Sequence, residues 1–133
     1  MSANDILVPV SPGELMDKIT ILRIKSARIQ DPSKLVNVRR ELEALEATWR
    51  AHPFSGQDIH AEEQALQQVN ERLWEIEDDI RDKERARSFD AGFIRLARAV
   101  YVENDERAAI KKRINLKLGS SLVEEKSYRD YKG

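Results

Sequence analysis

Asn104, Arg107, Lys111 and Asn115 fall three and four residues apart, so a helix stacks them on a single face. That face is apolar on both sides of them: Phe93, Leu96 and Val100 come before, Ile114 and Leu118 after. Buried without partners, such polar groups cost several kcal/mol each, so they must meet protein groups, a ligand or water. The preceding helical segment offers partners. Asn70, Glu77 and Arg81 flank its apolar seam, with Trp74 just beyond and Asp78 further round. Glu77 reaches Arg81 at i+4, and Arg107 or Lys111 across the helices. Lys18 lies beside the core face of the first helix and can join them. The plainer reading is a closed salt-bridge and amide network that fixes helix register. The functional reading is a pocket lined by Arg107, Lys111, Asn70 and Asn104, with Trp74 or Tyr101 as an apolar wall. Arginine, lysine and amides converging in this way suit a phosphate or a carboxylate. The candidate ligand-binding set is therefore Asn70, Trp74, Glu77, Arg81, Asn104, Arg107 and Lys111.

Other chemistry is thinner. Glu75 and Asp78, like Asp79 and Asp82, stand at i, i+3 and could hold magnesium, as in helical-bundle nucleotide pyrophosphohydrolases. A segment this acidic produces such pairs by chance, so no metal is expected. His52 and His60 flank a loop and read as solvent-exposed. No Gly-rich phosphate loop, Ser-His-Asp order or zinc pattern occurs, and no cofactor is expected. Cysteine is absent, which removes disulfides, thiolate metal sites and cysteine nucleophiles.

These residues need helices to hold them, and the pattern predicts an all-α chain: an elongated bundle of about four helices with an antiparallel helical hairpin. Ile6-Leu7-Val8-Pro9-Val10 reads as an extended arm (1–11) or short edge strand, since Pro9 cannot donate to a ladder. Ser11-Pro12-Gly13-Glu14 combines a cap, a first-turn proline and a capping box, and starts a helix over about 12–30. Its apolar residues cover more than one side, which predicts a central helix or contact with a second copy. Asp31-Pro32 opens a second helix over about 32–51, and a third spans about 58–87. Both carry apolar residues at 3-4-3-4 spacing across a short loop, the signature of an antiparallel pair. The third would be about 40 Å long at 1.5 Å per residue. A fourth spans about 90–118, with a bend expected near Glu103-Asn104-Asp105, and ends at Gly119. The tail, 119–133, is placed as an irregular segment that could pair with the arm. All of this makes one domain.

Charged residues form 35% of the chain, yet the net charge is −1. Residues 18–40 carry seven basic side chains against one acidic, 58–84 ten acidic against three basic, and 107–117 five basic and none acidic. The plainer reading is that most of these charges form solvated helix faces; the alternative is that the segments neutralise one another when packed, or across a dimer. The balance argues against nucleic-acid binding, and Lys111-Lys112-Arg113 point to different faces of their helix. With no secretory signal and no apolar run near the ~20 residues that cross a bilayer, a cytoplasmic protein without membrane insertion is expected.

The segments Ser11-Pro12-Gly13-Glu14-Leu15-Met16-Asp17-Lys18-Ile19-Thr20-Ile21-Leu22, Leu73-Trp74-Glu75-Ile76-Glu77-Asp78, Asn104-Asp105-Glu106-Arg107 and Glu124-Glu125-Lys126-Ser127-Tyr128 together resemble a family of small uncharacterised bacterial proteins. The resemblance covers nearly the whole chain. It brings no established activity, but implies an association with glycosyltransferase and surface-polysaccharide functions. The Leu-Trp-x-x-Glu-Asp phrase is also similar to one in a second uncharacterised bacterial helical family, where it again follows an asparagine, here Asn70. The resemblance singles out Asn70, Trp74, Glu77, Asp78, Arg107 and Lys126 without giving them roles. The leading expectation is a non-catalytic binding or protein-interaction module, accessory to surface-polysaccharide synthesis and forming a homo-oligomer. The alternatives are a helical-bundle enzyme acting on a phosphorylated or carboxylated small molecule, and a purely structural oligomer.

Overall fold

The first helix, α1 (Pro12–Arg28), begins where its cap predicts: the Ser11 hydroxyl accepts from the Glu14 amide, and Pro12 fills the first turn. The structure, a computed structural model, describes residues 4–132. Asp31 caps α2 (Pro32–Ala51) by accepting from the Ser33 amide. A connector containing one 3-10 turn, Pro53–Gly56, leads to α3 (His60–Arg85). Asp90 caps α4 (Ala91–Leu118) by accepting from the Phe93 amide, and also takes hydrogen bonds from Ser88 and Lys83. These three donors, the Phe93 amide foremost, hold the Asp90 carboxyl well below the usual carboxylate range. Gly119 ends α4 in the left-handed conformation, as its position predicts. Helix α4 runs unbroken through residues 103–105, where a bend was expected.

Helix α1 is the centre of the bundle and packs on α2, α3 and α4. Its two apolar sides are thereby covered within the chain: Leu15, Met16, Ile19, Leu22 and Ile24 are all buried. The double-sided pattern needs no second copy. Helices α3 and α4 form the long antiparallel pair. The ion pairs Glu62–Lys117, Arg72–Glu103 and Lys83–Asp90 step along them as an antiparallel register requires. The hairpin expected between the second and third helices is corrected here, because α2 packs chiefly on α1 and the main partner of α3 is α4. The eight-residue connector lets α2 fold back, and its Leu42, Leu45 and Trp49 only flank the core.

That core holds Leu15, Met16 and Ile19 of α1, Leu66, Val69 and Leu73 of α3, and Ile110, Ile114 and Leu118 of α4. It occupies one end of the α3–α4 pair. Arg23–Glu63 and Arg28–Glu75 join the basic first helix to the acidic third, while the other five basic residues of 18–40 form no ion pair among the described residues. Among the described residues no strand forms, and the pairing of arm with tail does not occur. The arm is extended, with Ile6, Leu7 and Val8 exposed.

Candidate functional site

The polar band on α4 divides into two halves with different fates. Its C-terminal half, Lys111 and Asn115, is closed against the first turns of α1. Lys111 Nζ lies 2.6 Å from Glu14 and 3.9 Å from Asp17. Asn115, 1% exposed, accepts from the Gly13 backbone amide at 2.7 Å and donates to Glu124 at 3.1 Å. The Ser11 hydroxyl donates to the other oxygen of Glu124 at 2.6 Å. One carboxylate thus ties the tail to the α1 cap and to α4. Asn70 joins the same system from α3, donating to Asp17 and to the Thr20 hydroxyl at 2.9 Å each. This half is the structural network anticipated by the plainer reading. Its acid is Asp17; Lys18, the neighbour expected to join, is exposed.

Burial pushes the Glu124 carboxyl up, but the hydrogen bonds from Ser11, its own backbone amide and Asn115, with the charge of Lys111, outweigh burial and leave it below its usual value. A carboxyl lowered on folding stabilises the fold above its unfolded value of about 4.3, and that stabilisation fades as pH falls through the folded value. Wild type should therefore melt above Glu124→Gln at neutral pH, and the two melting curves should converge below about pH 4. A constant gap from pH 7 to pH 3 would show that the Glu124 charge does not hold the tail.

The N-terminal half of the band, Asn104 and Arg107, does not enter this network. Both are half-buried and line two clefts, one on each side of α4. The helix cleft, about 490 Å³, lies between α1, α3 and α4. It brings together six residues of the expected set, Asn70, Trp74, Glu77, Arg81, Asn104 and Arg107, and adds Asp78 and Lys25. Glu77 is paired with Arg81 at 3.3 Å. The tail cleft, about 650 Å³, lies between α4 and residues 124–131 and contains the seventh, Lys111. Tyr101 walls this cleft, not the one that holds Trp74, and packs edge-on against Tyr131 at 4.9 Å. The single pocket anticipated from sequence is thus two, because the backbone of α4 separates its flanks.

Among the described residues Arg107 makes no ion pair or hydrogen bond, although most cations around it are paired. Lys111 is held by Glu14, Lys112 by Glu125 at 3.6 Å, and Lys126 by Asp105. Arg129, which faces the tail cleft, is likewise without an acidic partner among the described residues. Sequence reasoning missed Arg129 and the role of Glu124, because a segment without periodicity gives no face on which to place them. Of the four acids weighed for magnesium, Glu75 pairs with Arg28, Asp78 lines the helix cleft, and Asp79 and Asp82 line a separate groove with Arg95. Among the described residues no three His, Cys, Asp or Glu side chains are arranged to hold a metal ion. No described helix is long and apolar enough to cross a membrane.

No curated protein and no solved structure matches the chain. The profile of a family of unknown function (DUF6165) matches residues 6–131, and the chain belongs to that family.

Proposed function

We propose that this chain is a binding module for an anionic small molecule, with Arg107 as the anchor. The observation that carries the reading is a half-buried guanidinium with no carboxylate partner among the described residues, opening on both clefts. An arginine there presents a planar fork suited to phosphate or carboxylate. The tail cleft supplies a second unpaired arginine, Arg129, and falls within the ~300–1,000 Å³ common for small-ligand sites. The anion is accordingly placed between Arg107 and Arg129. The surface-polysaccharide association implied by the family resemblance makes nucleotide sugars the first ligands to offer, beside pyrophosphate, nucleotides and small carboxylates.

The test is a thermal-shift panel of these compounds, with and without magnesium, on wild type, Arg107→Met, Arg129→Gln and Trp74→Phe. A ligand at a hundredfold its dissociation constant adds about 2.7 kcal/mol, which raises the melting temperature by several degrees. Arg107→Met should melt as wild type does without ligand, having lost no hydrogen bond or ion pair to the described residues, and should bind at least about tenfold more weakly. Arg129→Gln should weaken binding too, and Trp74→Phe should not. Loss of binding in Trp74→Phe alone would place the ligand in the helix cleft. A response that requires magnesium would favour the helical-enzyme alternative. Destabilisation of ligand-free Arg107→Met by several kcal/mol would make Arg107 structural and end the proposal.

A further inference from the structure

Helix α1 has 17 residues against 26 in α3 and 28 in α4. At 1.5 Å per residue it reaches about 26 Å along a pair of helices about 40 Å long. The far end of the α3–α4 pair is therefore uncovered, and from Trp74 to Ala109 no residue is buried. Yet the apolar stripes continue into this tip. Ile76 and Ile80 on α3 and Phe93, Leu96 and Val100 on α4 are half-buried, and Phe89 packs edge-on against Phe93 at 5.2 Å. Phe89 and Ile94 beside them are more than half exposed. An antiparallel pair with an apolar seam on a bare face is half of a four-helix bundle.

The charges on the tip indicate what completes it. A shallow groove of about 680 Å³ crosses the tip, with Leu96 of the stripe and Ala99 along it and the Lys83 side chain lying over Gly92. Asp79 and Asp82 border it from α3, Arg95 and Leu96 from α4. None of Asp79, Asp82 and Arg95 forms an ion pair among the described residues, whereas their neighbours Glu77, Arg81, Lys83 and Asp90 do. Two acids and an arginine along one groove are self-complementary under a twofold rotation. The acids of one copy then face the arginine of the other, twice over, which is the geometry of an isologous interface. We propose that the exposed tip of the α3–α4 pair is the docking surface for a second copy of this chain, the two tips closing into an intermolecular four-helix bundle. This interface lies away from α1, whose apolar sides are already covered.

Sedimentation equilibrium tests it. Wild type should approach twice the monomer mass of 15.3 kDa at micromolar concentrations, and should dissociate as salt is raised. Arg95→Glu should weaken self-association at least about tenfold, because it sets three acids against three across the axis. The exchanged chain, Asp82→Arg with Arg95→Asp, should dimerise again. Arg95 is exposed and unpaired, so circular dichroism should show the fold intact in every variant. A wild type that sediments at 15.3 kDa up to about millimolar concentration overturns the proposal. So does an Arg95→Glu chain as dimeric as wild type, or an exchanged chain that stays monomeric.

Discussion

Replacing Asn70 with leucine is expected to destabilise the fold by about 3 kcal/mol, or roughly 10 °C in melting temperature for a domain of this size. The Asn70 side chain is 4% exposed and donates to Asp17 and to Thr20. Leucine nearly preserves its volume, so the loss reports hydrogen bonding and not a cavity. What remains is a carboxylate only 6% exposed whose cation, Lys111, stands 3.9 Å away. A buried charge that loses a donor costs more than the bond it made, because water cannot replace the partner. The double variant Asn70→Leu with Asp17→Leu should regain part of the loss, since removing both partners leaves no unpaired charge. Equilibrium urea unfolding gives all three values. An Asn70→Leu protein within about 0.5 kcal/mol of wild type would mean that the network contributes nothing to stability.

The second large effect should follow from a single methyl group. Gly13 lies in the first turn of α1, where alanine would ordinarily favour the helix by up to about 1 kcal/mol. Here a Cβ would stand 2.5 Å from the Lys111 backbone carbonyl oxygen and 2.9 Å from Asn115 Oδ1. The first of these is main chain inside a helix and cannot swing aside, so α1 and α4 must separate. Separation strains the bond from the Gly13 amide to Asn115 and the pair between Lys111 and Glu14. Against the helix gain, Gly13→Ala should lose about 2–3 kcal/mol net. Gly56→Ala is the control, because nothing lies within 4 Å of its Cβ position. If both glycine variants unfold at the same urea concentration as wild type, the close approach of α1 to α4 is not tight in solution.

The helices were legible because their signals are local. Ser11-Pro12, Asp31-Pro32 and Gly119 each act within four residues, and the structure places a helix end at each. The choice of partner helices was not legible. The stripes of the second and third helices share one spacing, and spacing alone does not say that α2 turns back on α1. The candidate site stood between these cases. A helical wheel located Asn104, Arg107, Lys111 and Asn115 on one face, and no wheel could show that α1 and the tail would close over only two of them. Lys111 and Asn115 meet Glu14, Gly13 and Glu124, which lie far away in sequence or in a segment without periodicity. Gly13 illustrates the same limit. In the sequence it is the third residue of a capping box, and only the packed fold shows why a side chain would not fit there.

The bonds that seat α1 also have a kinetic meaning. Ser11 to Glu124, Gly13 to Asn115 and Lys111 to Glu14 span 113, 102 and 97 residues. The α3–α4 pair is joined by a five-residue turn, and its first register bond, Lys83 to Asp90, spans seven. Loop closure favours the short span early and defers the long ones. The hairpin is thus placed to form first and the cap of α1 to dock late, after the folding barrier. Damage to Gly13, Asn115 or Glu124 would then leave the rate of folding almost untouched and shorten the lifetime of the folded state, whereas damage to the Asp90 turn would slow folding itself.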